Sequence, residues 1–160
     1  VTSRGQGRPG DGWVMCGCGA RHWGLHGAAG LLLARRGADG RATHVVLQHR
    51  AQWSDQGGTW ALPGGAREPD ETAVQAALRE AHEEAGVEAS AVAVRDEYVL
   101  THPDWSYTTV VADAVAPFTP TATDTESIEV TWVAVDDVVA RPLLRAFADA
   151  WPELRARLDP

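Results

Sequence analysis

Residues 27–35 (GAAGLLLAR) form an almost unbroken apolar run, and residues 43–50 (THVVLQHR) form a second one with polar ends. A Gly-Ala-Asp-Gly stretch at 37–40 separates them, so the pair predicts a β-hairpin. Residues 51–58 are a polar loop, and residues 60–62 predict a short strand. The period then changes. Val74, Ala77, Leu78, Ala81 and Ala85 recur at three- and four-residue steps, the spacing of a helix. These five positions share roughly 100° of arc. Asp70 is the expected N-cap, Glu71 falls in the first turn, and Gly86 is placed to end the helix in the left-handed conformation. Beyond it, residues 91–101 and 107–116 predict strands around a turn at Pro103-Asp104, and residues 128–135 (IEVTWVAV) alternate with period two. Asp136 is expected to cap a short helix. Pro142 is expected to open a last helix with Leu143, Leu144, Phe147, Ala148 and Trp151 as apolar positions, and Pro152 to kink or restart it. This order predicts an α/β domain with helices on a mixed sheet. Residues 1–12 read as a loosely attached tail, and residues 13–160 as one domain.

The helix carries an unusual group of acids. On the wheel Glu84, Glu80 and Glu83 lie about 80°, 120° and 180° from Val74, so one side can be buried while three carboxylates are presented together. A solvated acidic face, with Arg79 pairing Glu83 at i,i+4, is the plain alternative. Against it, Glu80 and Glu84 are like charges at i,i+4, which costs a helix a few tenths of a kcal/mol. Oxygen-only carboxylate sites suit hard cations such as Mg²⁺, which bind through a few carboxylates plus substrate phosphates.

Residues 65–87 (GAREPDETAVQAALREAHEEAGV) resemble the 23-residue Nudix box at every defining position, and residues 60–64 (WALPG) are similar to its W-x-x-P-G lead-in. The resemblance implies a Nudix-like α/β/α sandwich with a mixed β-sheet, and a Mg²⁺-dependent (or Mn²⁺-dependent) hydrolase of phosphoanhydride bonds. It makes Glu80, Glu83 and Glu84 metal ligands, adds the Gly64 carbonyl, and calls for a carboxylate from a later loop. Glu126 is the candidate and Glu129 its competitor. Glu80, Glu83 and Glu126 form the expected catalytic set, with either Glu80 or Glu126 as the base. Gly65, Glu71, Arg79 and Gly86 are expected to be structural. Arg50 is a candidate for substrate phosphates, or a solvated strand end. Trp105 and Tyr107, with Trp53, are candidates for stacking on a base, or rim packing.

The substrate class this suggests is a nucleoside diphosphate linked to another group. A nucleoside triphosphate, cleaved to the monophosphate and pyrophosphate, leads the reading, an oxidised deoxynucleotide among them. A nucleotide sugar, a dinucleoside polyphosphate, or a non-catalytic nucleotide sensor are the alternatives. An isomerase of isopentenyl diphosphate on the same fold would need a cysteine in the strands before the box. Both cysteines here precede the first predicted core strand.

The remaining figures narrow the partners. Hydrophobic content of 44% with 22% charged residues fits a globular domain. A net charge of −8 argues against a nucleic-acid polymer or an anionic membrane as partner. No apolar run reaches the length of a membrane span, and the N-terminus lacks a signal-peptide core, so a cytoplasmic location is expected. Oligomeric state stays open, a homodimer included.

Cys16, Cys18, His22 and His26 lie outside the family pattern. The spacing C-x-C-x₃-H-x₃-H offers four donors suited to a structural zinc, a clip for residues 13–26. Two small buried thiols and two ordinary histidines are the plain alternative.

Overall fold

The computed structural model describes residues 8–160. Strands β1 (Trp13–Met15) and β2 (Arg21–Trp23) form a hairpin of their own. The main sheet holds β3 (Ala28–Arg36), β4 (Ala42–Arg50), β5 (Trp60–Ala61), β6 (Gly64–Ala66), β7 (Val92–Thr101), β8 (Ser106–Ala114) and β9 (Ser127–Ala134). Its strand order is β5-β4-β3-β8-β7, with β6 also on β3 and β9 also on β4. β3 and β8 run parallel and the other pairs antiparallel, so the sheet is mixed.

Helices α1 (Ala73–Ala85) and α2 (Arg145–Leu158) cover opposite faces. That explains the unbroken run in β3, since a strand buried on both sides has no polar face to alternate with. Leu31 and Leu33 join Ala77, Ala81 and Val110 under α1. Leu32 and Ala34 join Val111, Trp151 and Leu154 under α2. Each such leucine contributes about 1.5–3 kcal/mol of transfer free energy. The fold is the α/β/α sandwich expected. No helix among the described residues is long and apolar enough to cross a membrane.

Several expectations are corrected. Thr72, not Asp70, caps α1: its hydroxyl accepts the Gln75 N–H and the Gln75 side chain accepts the Thr72 N–H. This reciprocal capping box satisfies two helix-end donors, more than Asp70 could do from two residues earlier. Glu71 therefore precedes the helix. Gly86 does end it, at φ 70°. The buried face comprises Ala73, Ala76, Ala77, Ala81, Glu84 and Ala85. Its alanines sit roughly 60° around from the expected stripe, which leaves Val74 and Leu78 half-buried and carries Glu84 inside.

At the C-terminal end, Asp136 lies inside a 3₁₀ turn (Val135–Ala140) and does not cap it. Pro142 does not open α2. The Trp60 N–H donates to the Pro142 carbonyl and the Leu144 N–H to the Trp60 carbonyl, holding this stretch extended beside β5. The helix begins at Arg145 and runs through Pro152 without a break, anchored on both sides by buried Phe147, Trp151, Leu154 and Leu158. The end of the expected tail is also attached: Leu25 and Gly24 donate to the carbonyls of Gly10 and Gly12 at 2.9 and 2.8 Å. Residues 1–7 lie outside the described residues.

Candidate active site

The site begins where β6 is added to the edge of β3. Gly64 faces Gly30 and Gly65 faces Ala29 across this pair. A Cβ on Gly64 would sit 2.6 Å from the Ala29 carbonyl oxygen, so only glycine allows the approach. A Cβ on Gly65 would sit 2.6 Å from the Glu80 carboxylate. The loop after β6 is tied to α1 by Arg79, whose Nε and Nη2 each donate to Glu71 at 2.7 Å. Nη2 also donates to the Ala66 carbonyl at 3.1 Å, and Nη1 to Glu80 at 3.0 Å. Glu71 accepts the Glu68 N–H as well. The Arg79 hydrogen bonds, and then that N–H, hold the Glu71 carboxyl below its ordinary range. The same pairing raises Arg79. These contacts tie the loop after β6 to the body of α1.

Three acids project from this scaffold. Glu84 is 2% exposed and accepts the Gly64 N–H at 3.3 Å. Glu80 is held by Arg79. Glu83 is half-buried and gripped by both terminal nitrogens of Arg8, at 2.8 and 3.1 Å. The Tyr107 hydroxyl is packed close to Gly30 and Gly64. Burial, then the charges of Glu84 and Glu80, push its ionisation well above the ordinary phenol range. A neutral phenol beside buried carboxylates is a hydrogen-bond donor at any physiological pH. Carboxylate oxygens are the donors that a hard divalent cation takes, and Glu80, Glu83 and Glu84 are the residues that could hold one beside Gly64.

Glu126 sits where the loop before β9 meets the end of β4. Its carbonyl accepts the Ala51 N–H at 2.9 Å, and its N–H donates to Asp124 at 3.0 Å. The same loop caps α1, since Thr121 and Thr123 donate to the carbonyls of Ala85 and Glu84. Glu129 is an exposed residue of β9 opposite His49.

A cavity of about 530 Å³ runs from Gly64 and Gly65 to a wall of aromatic rings. Arg50, Trp105 and Tyr107, the three expected substrate residues, all line it, with Trp53 at the rim. Arg50 donates to the Asp55 carbonyl through Nε and Nη2. Trp105 stacks on His22 at 4.3 Å and 9°, and its Nε1 donates to the Trp23 carbonyl at 3.2 Å.

A family model of the NUDIX domain matches residues 24–154. The chain belongs to the Nudix hydrolase family. It is 50% identical over 155 residues to a nucleoside triphosphate pyrophosphatase/Nudix hydrolase fusion protein of Bifidobacterium longum, covering 95% of this chain and 32% of the fusion protein. The chain thus spans about a third of that relative. It is 49% identical over 154 residues to a Mycobacterium tuberculosis protein assigned provisionally as 8-oxo-dGTP diphosphatase 3, covering 91% of this chain and 69% of that protein. Among solved structures it superposes on RenU, a Nudix hydrolase from M. smegmatis, with a TM-score of 0.82 and 51% identity, covering 92% of this chain and 94% of that one.

This Nudix domain has parts that the box does not announce. The β1–β2 hairpin supplies Trp13, Arg21 and Trp23 to the cavity wall. Three-residue strands are too short to show alternation, and only the repeated Trp at Trp13 and Trp23 hinted at them. Arg8 was equally hidden, because its partner lies 75 residues away. Of the four candidate soft ligands, Cys16, Cys18 and His22 are brought together within 4.8 Å. His26 lies outside that group. Positive-φ turns at Gly24 and Gly27 lead the chain from β2 into β3.

Proposed function

We propose that this Nudix domain hydrolyses nucleoside triphosphates to the monophosphate and pyrophosphate, with an oxidised deoxynucleoside triphosphate as preferred substrate. The observation that carries this reading is the continuity of the aromatic cavity with the carboxylate site. The cavity meets the box at Gly64 and Gly65, against which Glu84 and Glu80 lie, so a base against Trp105 would set its phosphates toward these acids. The Mycobacterium tuberculosis relative, assigned provisionally as an 8-oxo-dGTP diphosphatase, supports the substrate class.

Phosphoryl transfer asks the protein for positioning and charge neutralisation more than for covalent chemistry. A bound Mg²⁺ or Mn²⁺ supplies a counter-charge for phosphate oxygens and lowers the pKa of water. Glu83 and Glu84, with the Gly64 carbonyl, are the groups that would hold it. Arg50 meets the phosphates. Glu80 or Glu126 accepts the proton of the attacking water as a P–O–P bridge breaks. Arg79 aims Glu80 through its 3.0 Å hydrogen bond, and Tyr107 remains a neutral donor near it.

The test is a panel of oxidised and unmodified deoxynucleoside triphosphates, a dinucleoside tetraphosphate and a nucleotide sugar, assayed with Mg²⁺ or Mn²⁺ by chromatography of the products. Monophosphate and pyrophosphate from the triphosphates, with the highest kcat/KM on an oxidised base, is the expected result. Cleavage confined to the dinucleotide or the sugar would replace this substrate assignment. Binding without turnover would make the domain a sensor.

A further inference from the structure

We propose that Cys16, Cys18 and His22 bind a zinc ion, and that this ion braces the aromatic wall of the nucleotide cavity. The donor atoms of the three residues lie within 4.8 Å of one another, with Cys18 Sγ 3.2 Å from His22 Nε2. Zinc takes sulfur at about 2.3 Å and nitrogen at about 2.0 Å, which makes the edges of its tetrahedron roughly 3.3–3.8 Å. The three side chains therefore stand close to the spacing the ion needs.

The backbone builds this arrangement. Val14 pairs with His22 and Met15 with Arg21 across the hairpin, so the strand ends are fixed in register. The turn closes through Cys16 N–H to the Ala20 carbonyl and Gly19 N–H to the Cys16 carbonyl. Gly19 stands at φ 91°, where a larger side chain would be strained. Two thiols and an imidazole favour a borderline-soft ion over the hard cation suited to the glutamates, so the two metal sites of the domain differ in chemistry.

The β7–β8 turn offers candidates for a fourth donor. The Gly17 N–H donates to Asp104 at 2.7 Å, which docks this turn on the hairpin. Asp104 is thus engaged, and His102, whose ring lies 4.5 Å from that of His22 but outside the 4.8 Å group of donor atoms, would turn toward the ion to take the fourth corner. The ion would join the hairpin to the turn that carries Trp105. His22 is itself the ring stacked on Trp105. Metal occupancy and the shape of the base-binding wall are therefore linked.

Full-length protein purified under reducing conditions without chelator is analysed for bound metals, and the stripped protein is titrated with Co²⁺. The expected result is one equivalent of zinc, an intense thiolate-to-cobalt absorption band, and a change in tryptophan fluorescence on metal return. Glu83→Gln keeps the zinc, whereas Cys16→Ser/Cys18→Ser loses it and raises KM about tenfold with kcat held within about threefold, the loss of roughly one stacking contact. His102→Ala weakens zinc at least tenfold. Sub-stoichiometric zinc together with no thiolate–cobalt band in wild type overturns the proposal, as does equal zinc in the cysteine variant. If that variant fails to fold, the wild-type cobalt titration decides alone.

Discussion

The Arg79 guanidinium holds the Glu71 carboxylate through two hydrogen bonds of 2.7 Å, one from Nε and one from Nη2. Both side chains are less than a quarter exposed. The pair spans the start of α1 and fixes the loop that follows Gly64 and Gly65 of β6. Arg79→Ala strands a mostly buried carboxylate, and it should lower unfolding free energy by about 2–3 kcal/mol at pH 7. Arg79→Lys should recover only part of this, because an ammonium cannot reproduce the fork.

The same pair gives a pH dependence. The Arg79 hydrogen bonds hold Glu71 below its ordinary, unfolded carboxylate value. Its stabilisation is complete above that value and is lost as pH falls through the lower folded pKa. The difference between wild type and Arg79→Ala in urea melts should therefore shrink between pH 7 and pH 3. A difference that stays constant over that range contradicts the role given to the pair.

Arg8 competes for a candidate metal ligand. It forks onto Glu83 at 2.8 and 3.1 Å, about a third exposed. Partly exposed pairs contribute about 0.2–1 kcal/mol. Arg8→Ala should accordingly lower the Mg²⁺ concentration for half-maximal activity by up to about fivefold. An increase in that concentration would mean that Arg8 assists the site.

Gly30 and Tyr107 form a second coupled pair. A Cβ on Gly30 would fall 2.0 Å from the Tyr107 hydroxyl oxygen and 3.1 Å from the Pro63 carbonyl oxygen. Gly30→Ala should destabilise the domain by about 1–3 kcal/mol. Adding Tyr107→Phe removes the nearest clash and should restore at least half of that loss. Simple additivity of the two changes would deny the contact.

Trp105 tests the base wall separately from the chemistry. Loss of an aromatic stacking partner costs about 1–3 kcal/mol. Trp105→Ala should raise KM about tenfold and leave kcat nearly unchanged, as steady-state kinetics on the preferred nucleotide would read. A fall in kcat at constant KM would move Trp105 out of the substrate site.

Much of the scaffold was legible because it is local. The β3–β4 hairpin, α1 with its Gly86 terminus, and the alternation of β9 follow from short-range periodicity. The capping box was legible too, since Thr72 stands three residues before Gln75, but Asp70 competed for the same duty. The rotation of α1 was not legible. Small alanines tolerate several faces, and the choice is made by Leu31, Leu33 and Val110 across the interface. Pro142 promised a helix start until Trp60, 82 residues away, took its backbone into an extended pairing. In the site, the box named Glu80, Glu83 and Glu84, yet neither the burial of Glu84 nor the clamp of Arg8 on Glu83 is encoded within the box. The cavity wall needs β1, β2 and the β7–β8 turn to meet, a contact that no local pattern describes.

The proposed role of the α1 acids is metal-dependent cleavage of a nucleotide phosphoanhydride. Its most direct test measures pyrophosphate release from an oxidised deoxynucleoside triphosphate by wild type and Glu83→Gln, each with Mg²⁺ and with EDTA. Turnover is expected from wild type in Mg²⁺ alone, with a drop of at least about a hundredfold in the variant, the scale of losing a group that stabilises transition-state charge. Equal rates for the two proteins, or turnover undiminished by EDTA, would contradict it.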